Sequence, residues 1–145
     1  MTGDPSSRAV VHASCVALGS RALLIRGKAG AGKSSLALDL LSRGASLVSD
    51  DRTEITRTGE GLRVAAPAPI RGRIEARGLG LLNAPVATDG AILIAVVDLD
   101  TPETERLPPA RETELLGITL PILRASPMTC FPAALILYLG HGRTE

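Results

Sequence analysis

Aromatic residues are nearly missing from this chain, which has no Trp, one Phe and one Tyr in 145 residues. So few rings leave little with which to stack single-stranded bases. A formal net charge of +1 also lacks the basic excess of a broad nucleic-acid footprint. Glutamine is absent, so nothing can orient a hydrolytic water as the glutamine of small GTPases does. The single asparagine, Asn83, is followed by Ala84 and Pro85, which is not the guanine-reading pattern Asn-Lys-x-Asp. The protein-kinase signatures His-Arg-Asp and Asp-Phe-Gly are missing too. The two cysteines, Cys15 and Cys130, have no metal-type spacing. They are expected to be buried free thiols in a reducing compartment.

Long apolar runs are also lacking. Ala91 to Val97 and Ala133 to Leu139 are too short to span a bilayer. Met1 to Arg8 is polar, carries no apolar signal segment and is read as a disordered lead-in to one domain over residues 1–145. The expectation is a cytoplasmic protein with no membrane span and no nucleic-acid partner. Its core must be built from Ala, Leu, Ile and Val, and the length suffices for one.

Lysine is the most telling scarcity. Of 16 basic residues only Lys28 and Lys33 are lysines, and both fall in Gly27-Lys28-Ala29-Gly30-Ala31-Gly32-Lys33-Ser34. That run fits the phosphate-loop pattern G-x-x-x-x-G-K-[ST] at every fixed position. It follows the apolar strand-like Ala22 to Ile25 and opens a helix-like run from Ser35 to Leu41, the context the motif requires. Glycines let successive backbone N–H groups converge on phosphate oxygens at the positive end of the helix dipole. Lys33 can reach the β- and γ-phosphates as a compact charge, and the Ser34 hydroxyl can ligate Mg²⁺. The candidate nucleotide-binding residues are therefore Gly27 to Ser34 with Ser35, and the expected ligands are ATP and Mg²⁺.

The chain around this loop reads as short strands. Val10 to Leu18 and Arg21 to Arg26 form an expected hairpin about Gly19-Ser20. The helix from Lys33 should stop near Arg43-Gly44, before a buried strand from Ala45 to Ser49. Glu54 to Thr58 and Leu62 to Ala66 make a second hairpin signal about Gly59-Glu60-Gly61. Ile70 to Leu82, rich in glycine and arginine, is expected to be a compact loop. Ala91 to Val97 and Ile118 to Leu123 read as strands, Thr101 to Pro109 as a proline-bounded loop, and Pro132 to Leu139 as a short helix.

Asp50 and Asp51 end the short strand, seventeen and eighteen residues beyond Lys33. An acid at the end of a strand beside the phosphate-loop strand is where Mg²⁺ is held in such folds. A pair of acids also allows a division of labour, one for the metal shell and one to take a proton from a hydroxyl nucleophile. The interval from Lys33 is shorter than in Ras-like or adenylate-kinase-like folds, which implies a different topology.

Taken in order, four pieces resemble the catalytic domain of bacterial HPr kinase/phosphorylase, which phosphorylates a serine of the small phosphocarrier HPr. They are His12, the loop Gly27 to Ser34, Arg43-Gly44 followed by Asp50-Asp51-Arg52, and Ile74-Glu75-Ala76-Arg77-Gly78-Leu79-Gly80-Leu81-Leu82. The last is similar to the family signature Glu-Ile-Arg-Gly-Leu-Gly-Ile-Ile. The resemblance spans about residues 9 to 107. It implies an α/β fold: a single P-loop domain of the HPr kinase/PEP carboxykinase-like type, with a strand-rich mixed sheet, a phosphate-loop helix and a short C-terminal helix. It assigns Lys33 to the phosphates, Ser34 and Glu75 to Mg²⁺, a catalytic aspartate to the Asp50-Asp51 pair, and supporting roles to His12 and Arg106. It further implies an HPr-like protein as substrate, a homo-oligomer and a place in the phosphotransferase system. Phosphorolysis is left open, because Arg124 to Thr129 stands where the family carries Lys-Thr-Gly-Arg-Asn. Two other readings stay open: a nucleotide-sensing module without turnover that signals through a sensor-kinase partner, and a carboxykinase-like small-molecule kinase.

Overall fold

The computed structural model describes residues 7–144. Eleven strands and two helices are found there: β1 Arg8–Val11, β2 Ala13–Leu18, β3 Arg21–Arg26, α1 Lys33–Ser42, β4 Ser46–Ser49, β5 Thr53–Thr58, β6 Gly61–Ala65, β7 Arg73–Ala76, β8 Gly80–Asn83, β9 Ile92–Pro102, β10 Glu112–Leu115, β11 Ile118–Ala125 and α2 Phe131–His141. Arg8, assigned from sequence to a disordered lead-in, instead opens β1 opposite Thr56. Ser7 ahead of it is also described, and residues 1–6 of that expectation lie outside the described residues.

The main sheet runs β1-β5-β6-β9-β3-β2-β4, and β11, paired with β10, joins β9 further along the side that β6 holds at Ile92. Because β1 and β2 are one stretch of chain, and β4 and β5 another, this path closes on itself like a barrel. Cys15 faces Ser49; four residues back on one strand and four on along the other, Val11 faces Thr53. The ladder therefore keeps one register across the interruption formed by His12 and by Asp50 to Arg52. That interruption is a local opening, without inserted residues, and it holds the acid pair.

Side-chain alternation sorts the apolar residues onto two faces. Ala22 and Leu24 of β3 join Cys15, Val48, Ile55, Leu62 and Val96 inside the closed sheet. Leu23 and Ile25 face the other way, with Val16, Ala95 and Val97, under Ala37 and Leu40 of α1 and Leu135 and Leu139 of α2. A β-bulge at Ile94, where Ala22 pairs Leu93 but Leu23 pairs Ala95, keeps both faces of β9 in step with β3. Burying each such Leu or Ile contributes about 1.5–3 kcal/mol, so a two-sided aliphatic core replaces the missing aromatics.

Helix α1 forms over Leu36 to Leu41 because Ala and Leu are strong helix formers. It stops at Gly44, whose φ of 105° an L side chain resists. There the Ala45 N–H donates to the Leu40 carbonyl and the Gly44 N–H to the Leu41 carbonyl, a Schellman closure that turns the chain into β4.

Two further sequence expectations fail within these elements. Ile70 to Leu82 is not a loop throughout: β7 and β8 pair antiparallel, with Ile74 opposite Leu82 and Glu75 opposite Leu81. Ile74 and Ala76 point inward while Arg73 and Glu75 point out, and glycines on either side obscured that alternation. Cys15 is buried as expected, but Cys130 is exposed ahead of α2. Strand β10 carried no sequence signal at all, because Glu112 to Leu115 lies on the sheet margin and alternates only weakly.

Candidate active site

Strands β3, β4, β9 and β11 share one direction, so their C-terminal ends meet at one edge of the sheet. The phosphate loop leaves β3 at this edge and turns back as α1. Gly30 and Gly32 take φ of 83° and 102°, a left-handed region that only glycine enters without cost. No side chain caps α1 and no acid stands in its first turn, so its leading N–H groups face the loop concavity unpaired by protein side chains.

A cavity of about 430 Å³ opens there. From the loop, Ala29, Gly30, Gly32, Lys33, Ser34 and Ser35 line it; from across the edge come Asp50, Asp51, Glu75 and Arg77. Gly27, Lys28 and Ala31 shape the loop from behind without lining the cavity. Lys33 is 9% exposed as a residue, and its ammonium donates to the Gly27 carbonyl at 2.7 Å and the Lys28 carbonyl at 3.3 Å.

Asp50 is the hub. Its Oδ1 accepts from the Ser34 hydroxyl at 2.7 Å and from the Ser14 hydroxyl at 3.0 Å, and its Oδ2 accepts the Glu75 backbone N–H at 3.1 Å. Three donors from α1, β2 and β7 thereby fix one carboxylate. The sequence placed the acid strand beside the phosphate-loop strand; instead β2 lies between β3 and β4. Ser14 on that intervening strand makes the bridge, and its own oxygen accepts the Asp51 N–H at 3.1 Å. Asp51 sits at φ 68°, a conformation Asp tolerates better than most residues. It enters these contacts through its backbone only, so among the described residues its exposed carboxylate has no hydrogen-bond partner.

Other sequence candidates lie elsewhere. His12 is exposed at the bend between β1 and β2 and does not line the cavity. Ala13 faces Arg26, which puts His12 beside the point where the phosphate loop leaves β3. Arg106 lines a second cavity of about 300 Å³, floored by Ile122, Phe131 and Tyr138. There Glu103 and Arg111 form a two-pronged ion pair at 3.0 and 3.1 Å. Hydrogen bonds from that guanidinium hold the Glu103 carboxyl below the usual carboxylate range. Burial pushes the Cys15 thiol well up.

Sequence reasoning missed Ser14, which is wholly buried, because a lone serine in an apolar strand carries no motif. It also missed Asp100, at the end of the strand next to β3, whose carboxylate accepts the Lys28 N–H. The residues present suit a magnesium triphosphate. Glycine amides and Lys33 would face the phosphates, while Ser34, Asp50 and Glu75 line the same cavity with hard oxygen atoms. Among the described residues no three His, Cys, Asp or Glu side chains could hold a metal alone. Mg²⁺ needs no such cage, since phosphate oxygens and water complete its shell.

Comparison with known proteins gives this arrangement a context. Residues 5–91 match the family model "HPr Serine kinase C-terminal domain". The HPr kinase/phosphorylase of Xylella fastidiosa (strain M12) is 41% identical over 112 residues, covering 72% of this chain and 35% of that protein. The one from Aromatoleum aromaticum is 41% identical over 116 residues, covering 71% and 36%. This chain thus spans about a third of the length of the curated relatives it matches. The structure of the Hpr(Ser) kinase/phosphatase from Coxiella burnetii superposes with a TM-score of 0.75 at 27% identity, over 89% of this chain and 92% of that one. No helix among the described residues is long and apolar enough to cross a membrane. The chain belongs to the HPr serine kinase C-terminal domain family.

Proposed function

We propose that this protein is an ATP- and Mg²⁺-dependent protein-serine kinase acting on an HPr-like phosphocarrier. One observation carries the reading: Ser34, Asp50, Asp51 and Glu75 all face the concavity of the phosphate loop. Lys33 exchanges the Gly27 and Lys28 carbonyls for phosphate oxygens, and the α1 amides hold the triphosphate for in-line transfer. Ser34 and Glu75 would hold Mg²⁺, which would supply positive charge against the transferring phosphoryl group.

The two aspartates divide the work. Asp50 already accepts three hydrogen bonds, so it organises Ser34 and the β7 backbone. Asp51, whose exposed carboxylate has no hydrogen-bond partner among the described residues, takes the proton from the acceptor serine. His12 supports the reacting phosphate from the edge of the loop.

Incubation with γ-labelled ATP and the host's HPr-like protein tests the proposal. Label should appear on serine and should be lost in Asp51→Asn. Label on a metabolite instead would select a carboxykinase-like small-molecule kinase. The nucleotide-sensing reading has one observation on its side, since Arg106 lines the second cavity and not the first. Tight ATP binding with no transfer to any acceptor would favour it.

A further inference from the structure

We infer that Asp100 is a positioning residue that clamps the first peptide of the phosphate loop and thereby aims the loop at its triphosphate. The inference rests on the proposed reading of the cavity as a triphosphate site, and it concerns a residue outside every loop, acid and signature motif of the chain.

The peptide group between Gly27 and Lys28 is held from both sides. Its carbonyl accepts from Lys33 Nζ at 2.7 Å, and its N–H donates to both oxygens of Asp100, at 3.0 and 3.1 Å. Gly27 is in close contact with the same strand end: a Cβ added there would lie 3.2 Å from Leu99 Cβ and 2.9 Å from Ala31 Cβ. Asp100 is exposed, yet its backbone is fixed. Its N–H donates to Asp98 Oδ1 at 2.9 Å, and Asp98 Oδ2 accepts from the Thr101 hydroxyl at 3.0 Å and pairs with Arg26 at 4.0 Å. The end of β9 is thus a small hydrogen-bonded platform, and the Asp100 carboxylate ties it to the loop.

The chemistry separates positioning from mere proximity. A carboxylate beside a triphosphate repels it, so if Asp100 acted only through charge, removing it would tighten nucleotide binding. As a clamp it acts in the opposite sense. Without an acceptor for the Lys28 N–H, the Gly27–Lys28 peptide can rotate. Its carbonyl then leaves Lys33, and the loop amides must be ordered again at each binding event. Asparagine keeps an acceptor oxygen and drops the charge; alanine drops both.

The test compares Asp100→Asn and Asp100→Ala in two measurements. In the protein alone, hydrogen exchange of the Lys28 amide should be as slow in Asp100→Asn as in wild type, and about tenfold faster in Asp100→Ala. With ATP and Mg²⁺, Asp100→Asn should bind at least as tightly as wild type. Asp100→Ala should bind about three- to tenfold more weakly, the worth of one hydrogen bond, with KM for ATP rising more than kcat falls. Equal exchange rates in the two variants, or an alanine variant binding ATP as tightly as the asparagine one, would overturn the clamp. A wild-type protein that binds no ATP would overturn the triphosphate reading and the aiming role with it. The exchange measurement alone still reports whether the peptide is held.

Discussion

Replacing Ser14 by Ala should loosen both acids of the Asp50–Asp51 pair with a single change. Its hydroxyl is wholly buried, donates to Asp50 Oδ1 at 3.0 Å and accepts the Asp51 N–H at 3.1 Å. The two losses are unequal. Asp50 keeps the Ser34 hydroxyl and the Glu75 N–H, so its side forfeits one charge-assisted bond among three. The Asp51 N–H loses its acceptor in a half-buried position, and a buried donor left unpaired costs about 1–3 kcal/mol. The methyl of alanine offsets little of that, because the site around it is polar. The expected destabilisation is about 1.5–3 kcal/mol, a fall in melting temperature of about 2–4 °C per kcal/mol for a domain of this size.

Activity should fall further than stability implies. Asp51 stays at φ 68° against a left-handed cost of about 1–2 kcal/mol, and the Ser14 bond offsets much of it. Once that bond is gone the carboxylate moves away, and a displacement of about 1 Å can cost about a hundredfold in rate. Denaturant unfolding and phosphate transfer on the same preparations give both numbers. A Ser14→Ala protein as stable and as active as wild type would refute the idea that β2 holds the acid pair. Ser14→Thr, which keeps the hydroxyl, should recover part of both losses.

Further outcomes are expected elsewhere in the molecule. Asp51→Asn should keep the fold and ATP binding, since Asn tolerates the same backbone region, while transfer measured with labelled ATP falls about 10²–10⁴-fold. Gly27→Ala should cost about 1–3 kcal/mol through overpacking against Ala31 and Leu99 and weaken ATP binding, read by calorimetry. In the native protein a thiol reagent should label Cys130 at once and spare Cys15, whose burial keeps it a neutral thiol; mass spectrometry locates the adduct. The Glu103–Arg111 pair lowers the Glu103 pKa from its ordinary 4.5, so its stabilisation is present above that pH and fades as pH falls through the lowered value. The melting-temperature gap between wild type and Glu103→Gln should therefore be full at pH 7, begin to narrow below pH 4.5 and close as pH falls through the lowered value.

What the sequence disclosed follows the range of the forces involved. The β2–β3 and β5–β6 hairpins and α1 were legible because their signals are local: Gly19-Ser20, Gly59-Glu60, and the helix formers between Lys33 and Gly44. The β7–β8 hairpin was not, since Leu79 and Leu81 are exposed at 75% and 69%, which breaks the inside–outside alternation a strand is recognised by. Strand order is a long-range property. No spacing reveals that β2 lies between β3 and β4, and hence none reveals that Ser14 links the acids to the phosphate-loop edge. The loop and the acid pair could be named from motifs, whereas Asp100 could not, because its partner is a backbone N–H that any residue type provides. Arg106 was carried over on a short local match, and the chain leads it into the cavity beneath α2.

The most direct measurement is a crystal structure of the protein with Mg²⁺ and a non-hydrolysable ATP analogue. The account predicts the triphosphate along the amides of Gly30 to Ser34, Lys33 turned from the Gly27 carbonyl to a phosphate oxygen, the metal beside Ser34 and Glu75, and the Asp51 carboxylate open to the γ-phosphate. A nucleotide seated elsewhere, or a γ-phosphate with Asp51 and Glu75 both directed away from it, would contradict the account.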